Sequence, residues 1–134
     1  MIALEDLKDM NTTQVKAHIV SQYGNAEYEQ VDKELKKSLR KCKILIAYES
    51  VGDYGCDSSS WFLFEKEGKL YEVHGSHCSC YGFEGQWSPE ETTKQALMKR
   101  IDEGYNHSPF STGGYDGNGN QNIEDAKRYI INKL

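Results

Sequence analysis

Four potential metal or thiolate ligands fall within seven residues of this chain, in His74-Gly75-Ser76-His77-Cys78-Ser79-Cys80. Imidazole and thiolate are the donors zinc takes in a tetrahedral set, so His74, His77, Cys78 and Cys80 are the first candidates for a metal site. Their spacing argues against it. Structural zinc sites join two ligand pairs brought from two places in a chain, and here Cys78 and Cys80 are one residue apart with no second CxxC or HxxxH pair. A closed site would have to recruit Cys56 or His107 across the fold. The same segment could supply a thiolate nucleophile with a histidine base, although no third residue that would orient the pair is identifiable. Against both stands a plainer expectation, small free thiols buried under a loop.

The second chemically suggestive stretch is Tyr81-Gly82-Phe83-Glu84-Gly85-Gln86-Trp87. Large aromatics usually pack, so Phe83 and Trp87 are expected to plug the core beneath this connection. The functional alternative is a surface on which Tyr81, Phe83 and Trp87, helped by Tyr48, Tyr54 and Trp61, stack on a base or anchor a protein partner, with Glu84 and Arg100 beside them. Asp116-Gly117-Asn118-Gly119-Asn120 opens like a calcium loop. Position six is Gln121 and position twelve is Lys127, which rules out an EF-hand. The chain has no GxGxxG after a strand, no GxxxxGK[ST], no GxSxG and no HExxH, so nucleotide hydrolysis and the common hydrolases lose their usual markers. The expectation is therefore a protein without catalytic residues and without a cofactor, zinc being the one exception left open.

The elements that must position these residues follow from periodicity. Residues 12–41 read as a helical hairpin: Thr12 or Thr13 caps a first helix with Val15, Ile19 and Tyr23 on one stripe, Gly24-Asn25 ends it, and Tyr28, Val31, Leu35 and Leu39 line a second. Lys33, Lys36, Lys37, Arg40 and Lys41 lie off that stripe and toward the helix end, where cations suit the dipole. From Cys42 the period changes to two. Ile44, Ile46 and Tyr48 are expected on one face with Leu45 and Ala47 on the other, a strand covered on both sides. Trp61–Phe64 and Leu70–Val73, joined at Glu67-Gly68, complete a three-stranded antiparallel meander over residues 42–75. Ser88-Pro89-Glu90-Glu91 has the form of a capping box and predicts a helix over 88–103. A Gly/Asn-rich loop, 105–122, leads to a last helix at 123–134. The expected fold is a single α+β domain in ααβββαα order.

The chain has 134 residues, a formal charge of -5, and 11% aromatic content within a hydrophobic fraction of 37%, which suits one folded domain rather than a disordered chain. No apolar run approaches membrane-spanning length, and the acidic balance disfavours duplex nucleic acid as a partner. Met1–Met10 lacks the basic-then-apolar order of a signal peptide, so the cytosol is the expected compartment and free thiols the expected state of Cys42, Cys56, Cys78 and Cys80.

Gly75–Glu91, GSHCSCYGFEGQWSPEE, preceded by Lys69-Leu70-Tyr71-Glu72-Val73, resembles a group of small, mostly uncharacterised proteins encoded by bacteriophages and prophages. The resemblance spans roughly residues 44–100 and implies a small cytosolic protein made in an infected bacterium. By analogy with other phage proteins of this size and acidity, it implies a non-enzymatic inhibitor of a bacterial immune system such as CRISPR-Cas, acting by stoichiometric binding to a protein component. In that case Asp53, Asp57, Glu65, Glu67, Glu84, Glu90 and Glu91 would occupy a groove built for phosphates. A sponge for a nucleotide immune signal is the alternative, using Lys94, Arg100 and Arg128 as phosphate clamps. A zinc- or thiol-dependent protein centred on the His74–Cys80 segment is a third reading, and a homo-oligomer is compatible with all of them.

Overall fold

The computed structural model describes residues 1–24, 29–51, 58–77, 82–102 and 119–134, with the side chains of 29–32 and 119–120 outside the description. Within these, a five-stranded mixed sheet lies between two pairs of helices. In chain order the elements are β1 (Ile2–Glu5), α1 (Thr12–Tyr23), α2 (Glu29–Arg40), β2 (Lys43–Val51), β3 (Ser58–Lys66), β4 (Lys69–His77), β5 (Glu90–Thr92), α3 (Lys94–Asp102) and α4 (Gly119–Lys133). The sheet order is β1-β2-β3-β4-β5. The class is α+β, but the expected three-stranded meander in ααβββαα order is incorrect: two further strands extend it at both edges.

Both additions come from pairing between distant segments. β1 runs parallel to β2, Ile2 opposite Ile46 and Leu4 opposite Tyr48, and the α1–α2 pair makes the crossover that a parallel connection requires. β5 pairs antiparallel with β4, Leu70 opposite Thr92 and Glu72 opposite Glu90. The capping signal at Ser88 is overridden by that pairing. The helix begins at Lys94, where the Ala96 amide donates to Thr93 Oγ1 at 3.1 Å and the Leu97 amide to the Thr93 carbonyl at 3.0 Å. α1 is capped one residue earlier than expected: Gln14 N donates to Asn11 Oδ1 and Asn11 N to Gln14 Oε1, a reciprocal capping box. It ends at Gly24 in extended rather than left-handed backbone, φ -73.

A bulge in β2 corrects the strand's facing. Ile44 sits opposite Phe64 and Ile46 opposite Leu63, so Leu45 is an extra residue, and Ile44 and Ile46 point to opposite sides. Ile44 and Ala47 join Phe62, Phe64 and Val73 beneath α1 and α2. Leu45, Ile46 and Tyr48 join Trp61, Leu63, Leu97, Ile101, Ala126 and Ile130 beneath α3 and α4. The β3–β4 hairpin closes on Glu67 and Gly68, both at positive φ (54° and 77°), which is the two-residue turn that matches strand twist. Large side chains such as Trp61, Tyr48, Phe62 and Phe64 are fully buried, each worth roughly 1.5 to 3 kcal/mol of transfer free energy.

Candidate functional site

The C-terminal ends of β2 and β4 and the start of β3 lie side by side, and there the core turns polar on both faces. Ser58, Ser59, Ser60, Ser50 and Glu49 are buried there, and Glu72, further in at mid-strand opposite Leu63, is buried as well. Residues of odd and even register divide between the faces, so two separate centres result.

On the α1 side, His18 Nε2 meets Glu49 Oε2 at 2.9 Å, and Tyr23 shares a hydrogen bond with Ser60. Burial, the largest influence, pushes the Tyr23 phenol far above its ordinary pKa, and the nearby Glu49 adds to this. Tyr23 lies flat on Phe83, with centroids 5.0 Å apart, and edge-on to Trp87 at 5.4 Å. Gly75 is required here. A Cβ at that position would run into the Tyr23 hydroxyl and come within 2.8 Å of Ser60 Oγ and 2.9 Å of Phe83 Cδ1. The segment carrying Phe83 is tied down by Gln86, whose side chain accepts from Ser76 N at 2.9 Å and donates to Ser76 O at 2.8 Å and Gly82 O at 3.1 Å.

On the α3 side, Glu72 gathers three donors. Trp61 Nε1 donates to Oε1 at 3.1 Å, His74 Nε2 meets the same oxygen at 2.7 Å, and Arg100 pairs with Oε2. Burial raises the Glu72 pKa, but the hydrogen bonds from His74, Arg100 and Trp61, with the guanidinium charge, outweigh it and hold the carboxyl at about 2. Glu72 is therefore an anion at neutral pH with no proton to give. Its chemical effect is to orient His74, whose side chain remains 41% exposed, and to fix Arg100. Ser59, in the cross-strand row beside Trp61 and His74, has a buried Oγ with no partner among the described residues.

Away from the sheet, a shallow, open groove of about 700 Å³ runs between α1 and α2, lined by Lys16, Ala17, Val20, Lys33, Lys36, Lys37, Leu39 and Arg40. Its floor is aliphatic, from Ala17, Val20 and Leu39. Its rim carries five cations in a chain whose net charge is -5. Lys16 is held in place by donating to the Cys42 carbonyl at 2.9 Å, while Lys36, Lys37 and Arg40 line the opposite wall on α2.

The residues expected from sequence are thus dispersed. Phe83 is buried and Trp87 half-buried on the α1 side; Trp61 is buried on the α3 side, where Arg100 is half-buried on α3 itself; the sheet separates the two pairs, so they do not form one stacking surface. Glu84 is exposed beside Gly82. Tyr54, Tyr81, Cys78 and Cys80 lie outside the described residues, as do Cys56, His107, Asp53 and Asp57. His74 and His77 project to opposite faces: His74 pairs with Glu72 on the α3 side, and His77 packs edge-on to Phe83, 4.5 Å away, on the α1 side. They cannot share an ion in this strand conformation. Among the described residues no three His, Cys, Asp or Glu side chains converge as a metal site, and no helix is long and apolar enough to cross a membrane.

The groove escapes a sequence reading that treats the α2 cations only as complements to the helix dipole. Their recurrence at 33, 36, 37 and 40, one face of a helix, is the signal that marks it. Likewise Glu72 and His74, two apart in a strand, are bound to share a face. No protein family, no characterised protein and no solved structure matches this chain.

Proposed function

We propose that this chain is a phage-type, non-enzymatic binding protein that works in the cytoplasm of an infected bacterium and counters an immune system, such as CRISPR-Cas, by occupying one of its protein components. The observation that carries the binding part is the α1/α2 groove, an aliphatic floor ringed by five cations. Such a surface is built for contact rather than for reaction: water leaves the floor when apolar groups cover it, and the rim selects an acidic partner and speeds its capture. The titratable cluster around Glu72 supports the same reading, since Glu72 is committed to three donors within the protein. The phage and immune setting rests on the string Gly75–Glu91. The charge of the contact is the reverse of the acidic mimicry expected from composition, because the groove is positive although the chain is negative.

A nucleotide-sequestering role is the second reading, favoured by the same cations, which suit phosphates. The aliphatic floor offers no ring for a base to stack on, which places this reading behind the first. A zinc site centred on residues 74–80 would have to draw on one of His74 and His77 rather than both.

The test is capture of defence complexes from bacterial lysate by the tagged protein, alongside phage challenge of cells expressing it. The triple variant Lys36→Glu/Lys37→Glu/Arg40→Glu is expected to lose capture and protection of the phage while keeping its circular dichroism spectrum. Retained capture by that variant would take the binding function away from the groove.

A further inference from the structure

Building on that reading, we infer that the α1/α2 groove receives an acidic amphipathic α-helix of the partner protein. The cations of α2 stand at 33, 36, 37 and 40, a single ridge covering seven residue steps, or roughly 10 Å at ~1.5 Å per residue. α1 faces them with Lys16, Ala17 and Val20, the last two supplying floor rather than rim. An occupant must satisfy both parts at once. It needs aliphatic side chains that reach Ala17, Val20 and Leu39, and carboxylates flanking them at the same 3-to-4-residue recurrence as the α2 cations.

A helix with an apolar stripe bordered by Glu or Asp has that layout, because its own side chains at i, i+3, i+4 and i+7 repeat along the axis at the rise of α2. An extended strand places same-face residues at about 6.6 Å intervals and falls out of step with the cation ridge. A polynucleotide meets the rim with phosphates but has no aliphatic side chains for the floor. An anionic bilayer can meet the same exposed cations with its headgroups but offers no carboxylates at a fixed 3-to-4-residue recurrence beside an apolar stripe. The anions also gain from the local excess of positive charge, which the remaining acidic surface of the chain does not share.

The probe is a fluorescein-labelled, lactam-stapled peptide of about 18 residues, long enough for roughly five helical turns, with Leu on one stripe and Glu on both flanks. The full-length protein is expected to bind it, more weakly as salt is raised from about 50 to about 300 mM, since exposed charges are then screened. Ala17→Glu, which puts a carboxylate on the floor, and Lys36→Glu/Lys37→Glu are each expected to weaken binding by at least ~10-fold with unchanged melting temperature. Equal binding of a peptide with the same residues scrambled, of polyglutamate, of single-stranded DNA or of phosphatidylserine vesicles overturns the helix assignment, as does failure of the stapled peptide to bind. The two proposals part cleanly. If the peptide fails while Lys36→Glu/Lys37→Glu still abolishes capture of the partner, the helix is wrong and the groove's function stands; if the peptide binds and that variant still captures the partner, the helix site stands and the partner docks elsewhere.

Discussion

The two polar centres on opposite faces of the sheet solve the same problem unequally. Each buries one glutamate where a sheet of this kind would ordinarily be apolar. Glu72, under α3, has both oxygens engaged by Trp61, His74 and Arg100 and is held at a pKa of about 2. Glu49, under α1, has His18 on Oε2, while its Oε1 is buried without a partner among the described residues. Partners on three separate elements, β3, β4 and α3, converge on Glu72, so that centre ties the sheet to a helix. The α1 centre depends instead on close packing around Gly75, Tyr23 and Ser60. One region is stabilised by donors, the other by shape, and they should respond differently to mutation and acid.

The largest effect is expected from Glu72→Ala, which strands the buried Trp61 donor and the half-buried Arg100 charge. We expect a loss of about 3 kcal/mol in urea unfolding, the exposure of Arg100 and His74 keeping it at the lower end for a broken buried pair. A change under about 1 kcal/mol would erase the distinction between the centres. Acid sharpens it further. Because the folded pKa of Glu72 lies below its ordinary value of 4.5, its contribution is fully present above that value and is lost as pH falls toward 2. Glu72→Gln should therefore flatten the stability-pH curve between about pH 5 and pH 2 relative to the parent protein.

Next comes Gly75→Ala, with about 2 kcal/mol of overpacking and an altered near-ultraviolet signal from the Tyr23–Phe83 stack. If the variant is as stable as the parent, shape is not what holds the α1 centre. His18→Ala removes the described partner of Glu49 and should cost about 1 kcal/mol, less than Glu72→Ala. The smallest effect belongs to Glu84→Ala. Its side chain is exposed, so stability should stay within about 0.5 kcal/mol, and any loss of partner capture would assign it a contact role outside the groove.

Local chemistry makes several features legible in the sequence. The apolar stripes Val15-Ile19-Tyr23 and Leu35-Leu39 are buried in helices, the Glu67-Gly68 turn closes a hairpin, and the strand from Lys43 is covered on both faces, although it lies second in the sheet rather than at its centre. Each depends on neighbours within a few residues, which a sequence displays directly. The capping box at Ser88 is equally local and still misleading, because pairing of Glu90–Thr92 with β4 supplies hydrogen bonds that a helix start at that point would forgo. β1 is four residues long and finds its partner more than forty positions away, so no local pattern marks it. Of the candidate site, the shared face of Glu72 and His74 and the cation spacing on α2 can be read from residue numbers, whereas Arg100 and the groove floor depend on which helices pack together.

By itself, then, the sequence determined the residue types, the helical and strand periods, the net charge and the turn chemistry, all of which act over short stretches of chain. Only the tertiary structure decided that a bulge at Leu45 sends Ile44 and Ile46 to opposite faces, and that pairing with β3 carries β4 on to His77, so that His74 and His77 fall on opposite faces. It alone brought Arg100 across 28 residues to Glu72, and set α1 against α2 so that scattered lysines ring an aliphatic floor. These are consequences of pairing and packing between distant segments, where free energy is gained only after the loops between them have closed.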